Sequence, residues 1–520
     1  MIETRRDLHF YVSEQPCIPV VQGKQPKLVT LRDALVHANE YAELQHDVSI
    51  LEFGLYRLLT ASVLDIFFVE PSRTLDTLEL STLMDKGQFD ATRVDAYLEK
   101  YRHEFDLFSE KRPFLQTAGL TSKLKPVSSM LPNIPSGTNA VHFYRAHEDD
   151  YSVYPAEALA LLASVAPFMT AGGAGLSPSI NGAPPVYVLV QGETLFETLC
   201  LNLAATLPKF ARAEDAPAWR STRLPGGERQ NAGHVESLTW RPRRVQLVPE
   251  GDGTAIRTIR FEAGDSTRFE WRDPNAAYRI SEKGAVIVRM REGRELWRDS
   301  GPLLLMAGSN KAERPLLVTQ FSRFVEQRNL PKKTALSLSL YGMRTDLKMK
   351  VFEWQREHLS VPASLLVEGA QNVDGQEAYE WLERAESVGR LLRLVVRRLY
   401  PRDGGGNDRA FGSRLAYIER SYWSALRGVF EELILQLAEA GLAMEDRVAL
   451  RNEWRKAVER EAGAAFEQVV DGLSTDSHAL ERTTRARRTL LGGIRNVFEP
   501  SLPGAKKVRK AKQAGNGGAI

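Results

Sequence analysis

A glycine-rich loop is the part of this sequence whose composition most directly suggests a binding role. Its residues, Gly172, Gly173, Ala174 and Gly175, follow a helical pattern and precede a strand pattern. The loop lacks both the strand-to-helix context and the Lys-Ser/Thr pair of a phosphate-binding P-loop. Because glycine has no side chain, its amide can approach a base edge or a sugar closely. The loop is therefore either a plain surface turn or a segment that lies against a nucleic-acid groove.

A second candidate binding element is the basic segment YGMRTDLKMK. The residues from Arg344 to Asp346 have turn composition, and Lys348 and Lys350 alternate with apolar residues as on a half-exposed strand. Leu347 is an apolar residue at the expected tip. The segment fits either a plain hairpin or a wedge that enters a duplex end while its cations face phosphates.

Residues that could carry catalysis or hold a metal do not form a complete set. No His-x-x-x-His or Cys-x-x-Cys pair occurs, and His142 and His147 near acidic residues 148–150 fit a solvated loop better than a metal site. Ser177 lacks the second glycine of a Gly-x-Ser-x-Gly elbow. We therefore expect no enzyme activity, no cofactor and no metal. A hydrolase that uses Ser177 or the His142–Asp150 loop is the weaker alternative.

Composition and charge are those of a globular protein with more than one domain. The chain has 520 residues, of which 43% are hydrophobic, which is too long for one ordinary core. A formal charge of +3 excludes a uniformly basic nucleic-acid coat but not local basic patches. Such patches are expected at Arg241–Arg244, Arg482–Arg488 and Lys506–Lys512.

Several features bear on the compartment of the protein. The N-terminal residues MIETRRDLHF lack the apolar segment of a signal peptide. The stretch Val48–Phe68 carries charged residues and predicts a buried helix rather than a membrane span. Two cysteines, Cys17 and Cys200, provide no disulfide framework. We expect a cytoplasmic protein.

The order of the patterns predicts an α+β fold. A large mixed N-terminal domain is expected over residues 1–370, without the strand–helix alternation of a doubly wound sheet. A C-terminal four-helix bundle is expected over residues 371–499, because short connections join long segments of helical apolar spacing. Residues 500–520 are expected to form a disordered basic tail. The bundle helices are expected at 374–400, 409–440, 444–471 and 476–498.

Local patterns also predict where helices begin and where strands lie in the first domain. Capping boxes start helices at Thr30 and Thr194, and Pro155 occupies a first helical position. Strands are expected at Val186–Val190, Arg244–Val248, Ile256–Phe261, Ala285–Met290 and Leu303–Ala307.

Several motifs together resemble one known family. In chain order they are QPCIPVV, RPFLQT, SGTNAVHF, PPVYVLVQGETLFETLCLNL, LTWRPRRVQL and YGMRTDLKMK. Their order and spacing resemble the CasA family, the large subunit of the type I-E CRISPR surveillance complex, Cascade. The resemblance extends over the whole chain.

The resemblance implies a non-enzymatic role in RNA-guided defence. In that family the subunit reads the short motif that flanks the target in double-stranded DNA, from the minor-groove side. It helps to open the duplex for the guide RNA, and it docks the helicase–nuclease. The implied partners are the guide RNA, the target DNA, the other Cascade subunits and that effector, with no membrane and no small-molecule substrate. Because base pairing reads the target, the protein needs to read only the flank and the backbone shape.

The resemblance also implies which residues contact nucleic acid. The loop from Ala171 to Gly175 matches the family's glycine loop at the minor groove. Asn139 and Phe143, in SGTNAVHF, match the loop that contacts the guide-RNA handle and neighbouring subunits.

The family's wedge and basic finger also have counterparts in this sequence. Asp346, Leu347 and Lys348 match the wedge tip, and Arg344 matches a basic residue just before it. The family's basic finger lies on a strand within 257–268, where Arg260 and Arg268 are the candidates.

This sequence departs from the family pattern at the proposed contact points. Leu347 replaces a frequent glutamine, and a leucine can unstack a base pair but cannot bond to a base edge. Ala171 and Ala174 stand where richer loops have glycine. The cysteine cluster of some members is missing. A structural adaptor that never touches DNA is a further alternative to a DNA-reading subunit.

Overall fold

The computed structural model describes residues 8–68, 77–131, 151–171, 175–204, 215–291, 293–305, 312–328, 330–331, 334–345, 351–367, 372–400, 408–439, 443–473 and 475–499. These residues form a mixed α and β structure, as the sequence predicts. The chain divides into two units. The first comprises Met1–Glu292 with Pro302–Gln371, and the second comprises Gly293–Gly301 with Asn372–Ile520.

The strands of the first unit form several small sheets. They are β1 (Ile18–Gln22), β2 (Gln25–Val29), β3 (Lys125–Pro126), β4 (Tyr187–Gln191), β5 (Gly227–Arg229), β6 (Arg243–Pro249), β7 (Ile256–Ala263), β8 (Asp265–Thr267), β9 (Tyr278–Ser281), β10 (Gly284–Ile287), β11 (Ala312–Glu313), β12 (Ala335–Thr345) and β13 (Val351–Pro362). In one antiparallel sheet β12 lies between β13 and β4, and in another β7 lies between β3 and β6. The predicted strands at β4, β6 and β7 are confirmed, and β10 covers the first part of its predicted range.

The predicted strand Leu303–Ala307 is wrong. Its described residues belong to a wide helical turn, Gly301–Leu305, in which Leu303 and Leu304 are fully buried. A short apolar run fits a buried helical turn as well as a buried strand, so periodicity alone could not separate the two.

The described helices of the first unit are α1 (Leu31–Val36), α2 (Ser49–Phe67), α3 (Thr77–Asp85), α4 (Ala91–Lys100), α5 (Pro155–Phe168), α6 (Leu195–Leu201), α7 (His234–Leu238), α8 (Leu316–Gln327) and α9 (Ala363–Leu366). Three of them, α1, α5 and α6, begin where Thr30, Pro155 and Thr194 predict. The Thr30 hydroxyl accepts the backbone N–H of Asp33 at 2.9 Å, and the Thr194 hydroxyl accepts that of Glu197 at 3.2 Å. Both caps satisfy amides that the first helical turn leaves unpaired.

Helix α2 lies in the core of the first unit, and its residues from Ile50 to Phe67 are buried. It packs against α5, α7, β12 and β13. The approach to α5 requires glycine at position 54, because a Cβ there would lie 2.7 Å from the backbone nitrogen of Ser164. Among the described residues, no helix combines the length and apolarity that crossing a bilayer demands. The predicted buried helix at Val48–Phe68 is confirmed.

The described residues of the second unit form four long helices, α10 (Val373–Leu399), α11 (Asp408–Leu437), α12 (Met444–Val470) and α13 (Ser477–Phe498). Helix α10 packs against the other three, and α11 packs against α12. The apolar stripe predicted for α10 is buried along its length, from Trp381 to Leu399. The indole N–H of Trp454 donates to the carbonyl oxygen of Trp381 at 2.9 Å, which ties α12 to α10 in the core.

Candidate nucleic-acid interface

The glycine loop follows α5 and precedes β4. Of its residues, Ala171 is half-buried and Gly175 is exposed with φ of +79°, a conformation that favours glycine. Gly172, Gly173 and Ala174 lie outside the described residues. The sequence therefore places a glycine where the described backbone requires one.

Both ends of this loop are fixed by hydrogen bonds. The backbone N–H of Ser179 donates to the carbonyl oxygen of Met169 at 2.7 Å. The guanidinium of Arg243, on β6, donates to the carbonyl oxygen of Thr170 at 2.8 Å and to that of Ser177. The loop therefore leaves and returns to the core at two fixed points.

The segment after the loop is held by a buried polar network. Asn181 donates its amide to Asp273 at 2.8 Å and to the Tyr187 hydroxyl at 3.0 Å. Asp273 also accepts from Arg57 of α2 at 2.9 Å, with side-chain exposures of 0% and 4%. Burial alone would lower the pKa of Arg57, but Asp273 raises it above its ordinary value. The network therefore connects the loop's C-terminal flank to α2 through a charged pair.

The hairpin of β12 and β13 is the second predicted contact element. Its strands pair from Ala335 opposite Pro362 to Thr345 opposite Val351, with a register shift between Arg344 and Thr345. Asp346, Leu347 and Lys348, the predicted wedge tip, lie outside the described residues.

Arg344 is the described residue of the predicted wedge, and it lies at the end of β12. Its guanidinium carbon lies 4.5 Å from the ring centroid of Phe352, whose exposed fraction is 51%. A cation over an aromatic face is a stabilising contact. It holds Arg344 at the end of β12.

The hairpin is also anchored to α2. The Tyr341 hydroxyl donates to Glu52 at 2.6 Å, and Arg356 lies 2.9 Å from the same carboxylate and 2.6 Å from Glu43. Burial raises the pKa of Glu52, while the Arg356 charge opposes that rise. An aromatic residue, Phe53, reinforces this anchor because its ring lies 5.1 Å from that of Tyr341.

The same aromatic residue also contacts the two elements that flank the glycine loop in the chain. The Phe53 ring stacks on Tyr187 of β4 at 4.5 Å and contacts Phe168, at the end of α5, at 5.9 Å. One helix, α2, therefore supports both predicted contact elements through Glu52, Phe53 and Arg57. Sequence reasoning missed this role, although charged residues within an apolar helix were a visible signal.

The two candidates for the basic finger have different surroundings. Arg260 of β7 donates to the carbonyl oxygen of Ser122 and borders an open cleft of about 950 Å³. Arg268, just after β8, has a side chain that is 69% exposed and pairs with Glu228 at 2.9 Å. The structure places Arg268 on the surface and ties Arg260 to a neighbouring segment.

The predicted basic patch Arg241–Arg244 is wrong as an exposed patch. Arg243 is 2% exposed, and Arg241 donates to the carbonyl oxygen of Arg223. Burial lowers the pKa of both Arg241 and Arg243 to about 10. Arg244 points to the other face of β6 and pairs with Glu262 at 2.9 Å. Strand alternation divides the patch between the two faces, which a charge count cannot show.

Asn139 and Phe143, the predicted guide-RNA contacts, lie outside the described residues. The nearby RPFLQT motif is described, and its Gln116 side chain donates to the carbonyl oxygen of Leu107 at 2.9 Å and accepts the N–H of Leu247 at 2.7 Å. The ring centroids of Phe114 and Trp219 lie 5.5 Å apart. The motif therefore builds the core beside β6.

Groups that could carry catalysis or bind a metal do not come together in the described part of the chain. Within it, no three His, Cys, Asp or Glu residues are arranged to hold a metal ion. Burial raises the pKa of the Cys17 thiol to about 12 and that of Cys200 still further above its ordinary range. Such thiols are poor nucleophiles at neutral pH. The predicted hydrolase residue Ser177 contributes its backbone carbonyl to the loop anchor, and the His142–Asp150 loop lies outside the described residues.

Comparison with known proteins gives a consistent match across the chain. The family model for CRISPR-associated protein Cse1 matches residues 12–465. A CRISPR-associated protein CasA/Cse1 from Thermus thermophilus is 30% identical over 486 residues, which cover 88% of this chain and 91% of the relative.

Solved structures share the fold. The crystal structure of Thermus thermophilus CasA has a TM-score of 0.75 at 26% identity and covers 93% of this chain and 99% of its own. Thermobifida fusca Cse1 has a TM-score of 0.77 at 22% identity, with coverages of 94% and 98%. A chain of a CRISPR RNA-guided surveillance complex has a TM-score of 0.75 at 22% identity, with coverages of 93% and 99%.

Proposed function

The chain belongs to the CRISPR-associated Cse1 family, also called CasA, and we propose that it is the non-catalytic large subunit of a type I-E RNA-guided surveillance complex. In this role it recognises the flanking motif of double-stranded target DNA from the minor groove. It then assists opening of the duplex and recruits the helicase–nuclease. The work takes place in the cytoplasm, where guide RNA and invading DNA meet.

The observation that carries this proposal is the common support of two candidate contact elements. The segment that follows the glycine loop is tied to α2 because Asn181 contacts the Asp273–Arg57 pair, and the hairpin is tied to α2 through Tyr341 and Glu52. A reader of a short DNA flank needs both elements at a fixed separation, because the flank and the opening point are adjacent on one duplex. A rigid buried helix provides that separation.

The residues have distinct proposed roles. The glycine loop lies against the minor groove, where base pairs display a degenerate pattern, so several flanks are tolerated. Leu347 unstacks the first base pair, and Arg344 and Lys348 contact phosphates. Arg268 is favoured over Arg260 as the finger because its side chain is exposed.

Other parts of the chain have proposed roles in assembly. Asn139 and Phe143 contact the guide-RNA handle and neighbouring subunits. The four helices α10–α13 form a four-helix bundle that faces other components of the complex. The buried apolar stripe of α10 and the hydrogen bond from Trp454 of α12 to Trp381 of α10 support a compact bundle.

The decisive test is a binding titration of the complex reconstituted with its guide RNA. The targets are a duplex with the correct flank, one with a scrambled flank, and one whose guide-matching region is already unpaired. We expect Gly173→Asp to assemble normally, to lose the preference for the correct flank and to bind the unpaired target. Loss of assembly, or an unchanged flank preference, would contradict the proposed role of the loop.

The wedge has its own test. Lys348→Ala is expected to weaken binding of all duplexes equally and to reduce the slope of log affinity against log salt by about 1. Lys283→Ala, at the exposed turn between β9 and β10, is the matched control and leaves the slope unchanged. Equal slopes for the two variants would remove Lys348 from the DNA surface and favour a structural adaptor.

A further inference from the structure

Arg243 is a buried cation, although the sequence predicts that it belongs to a basic surface patch. Arg243 is 2% exposed, and its guanidinium carbon lies 5.5 Å from the ring centroid of Phe261. Within the described part of the chain, no carboxylate forms an ion pair with it. Buried charges are usually paired with an opposite charge because desolvation is expensive. An unpaired arginine in this position therefore calls for a reason.

The hydrogen bonds of Arg243 supply a geometric reason. All of them go to backbone carbonyl oxygens: those of Thr170 at 2.8 Å, Pro242 at 2.9 Å, and Ser177. Thr170 and Ser177 stand immediately on either side of the segment 171–176. Arg243 therefore connects the two ends of the glycine loop through Thr170 and Ser177.

A guanidinium suits this bridge better than any other side chain. It is planar, carries five N–H donors in a fixed fork and stays charged at neutral pH even when burial lowers its pKa to about 10. A lysine ammonium offers three donors from one point, so it cannot hold two carbonyls at a set spacing. The strand supports the fork because the burial of β6 alternates, with Arg243 and Val245 facing inward.

We propose that Arg243 is the positioning residue of the glycine loop, fixing the spacing of its two ends so that the loop fits the DNA minor groove. This inference rests on the proposed function, because the loop must read DNA for its spacing to matter. It adds a specificity determinant that does not itself touch the DNA. The consequence is a change in flank preference without a change in sequence-independent affinity.

The test compares Arg243→Lys and Arg243→Gln with the control Arg244→Gln. Arg243→Gln keeps amide donors without burying an unpaired charge, so it remains informative if Arg243→Lys does not fold. Arg244 is its neighbour on the opposite face, where it donates to the carbonyl oxygen of Ala263 at 3.0 Å. Each full-length variant is assembled with its partner subunits and guide RNA.

Two readouts are taken for every variant. Hydrogen exchange of the full-length chain without DNA follows the amides from Ala171 to Ser179, and the expected increase for both Arg243 variants is about 10-fold or more. Duplex binding then gives the affinity ratio between correct and scrambled flanks. That ratio is expected to fall about 10-fold, equivalent to about 1.4 kcal/mol, while affinity for the scrambled duplex stays within about 2-fold.

The outcomes separate this inference from the function on which it rests. Unchanged exchange in both Arg243 variants would overturn the bridge itself. Faster exchange with normal flank preference, when Gly173→Asp abolishes that preference, would overturn the positioning role and leave the proposed function intact. Normal preference in the Gly173→Asp complex as well would overturn both. The proposal is supported if both Arg243 variants show faster amide exchange and a lower affinity ratio between correct and scrambled flanks, and if Arg244→Gln shows neither change.

Discussion

The buried pair of Arg57 and Asp273 offers a quantitative test of how the interface is supported. We consider Asp273→Asn, which keeps the shape of the side chain and removes its charge. The wild-type carboxylate accepts hydrogen bonds from Arg57 at 2.9 Å, from Asn181 at 2.8 Å and from the backbone of Asn275 at 3.0 Å. The substitution leaves the Arg57 cation in the core without a counter-charge.

The expected cost follows from the exposure of the two side chains, 4% for Arg57 and 0% for Asp273. Removing one partner of such a pair destabilises a protein by about 3–5 kcal/mol, because the remaining charge stays desolvated. The asparagine oxygen still accepts hydrogen bonds, so we expect the lower end, about 3 kcal/mol. That is a large part of the roughly 5–15 kcal/mol by which a domain is usually stable.

Two assays apply. Urea unfolding gives the free energy of unfolding, and hydrogen exchange of the α2 amides in the native protein reports opening of the unit that contains this buried helix. The control is Asp95→Asn, which breaks an exposed pair. Arg32 lies 2.7 Å from Asp95, with side-chain exposures of 39% and 47%. Exposed pairs contribute about 0–1 kcal/mol, so the control is expected to lose less than about 1 kcal/mol.

The cause of the loss can be isolated with a second substitution. Adding Arg57→Met to Asp273→Asn removes the uncompensated charge and is expected to restore about 1–2 kcal/mol. Equal losses for Asp273→Asn and the Asp95→Asn control would refute the reasoning. So would a double variant less stable than Asp273→Asn alone.

Three further predictions concern packing, a buried hydrogen bond and His234, whose two ring nitrogens are buried. Gly54→Ala is expected to lower the free energy of unfolding by about 1–3 kcal/mol, because it overpacks α2 against α5. The control Gly463→Ala has open space at its Cβ and is expected to stabilise its helix by about 0.5–1 kcal/mol. Thermal melts of both variants measure these changes. Tyr341→Phe is expected to cost about 1–3 kcal/mol in urea, because buried Glu52 loses a donor. Burial lowers the pKa of His234, so below its ordinary value of 6.5 the unfolded state binds the proton first. As the pH falls, the free energy of unfolding of the wild type is therefore expected to drop by up to about 1.4 kcal/mol per pH unit relative to that of His234→Gln. Urea unfolding of both proteins from about pH 7 to about pH 5 measures this difference.

Local features of the fold could be predicted because their causes are local. The threonine caps at Thr30 and Thr194 involve residues three positions apart. The long helices of the second unit follow apolar spacing that repeats within a few turns. The helical turn at Gly301–Leu305 could not be predicted, because a short buried apolar run has no distinguishing period.

The two candidate contact elements stay predictions, and only their supports are visible in the structure. The glycine loop and the basic hairpin were identified from composition and from a family resemblance. Their supports could not be, because Arg57 and Asp273 are 216 residues apart and Tyr341 and Glu52 are 289 apart. The arginines at 241–244 were misassigned for a related reason: the sequence shows charge, but only packing shows which face of a strand points inward.

The support of both elements by α2 has a consequence for the proposed mechanism. Glu52 and Arg57 are five positions apart, so at 1.5 Å per residue they lie about 7.5 Å apart along the helix axis. Tyr341 of the hairpin and Asn181, which follows the glycine loop, are both held to α2 by buried contacts. Breaking the Arg57–Asp273 pair costs about 3–5 kcal/mol. In the proposed mechanism, flank reading and duplex opening would therefore be coupled through this shared support. If the loop and the wedge act as proposed, a flank bound out of register by the loop would place the wedge away from the first base pair, and discrimination at the loop would also become discrimination in opening.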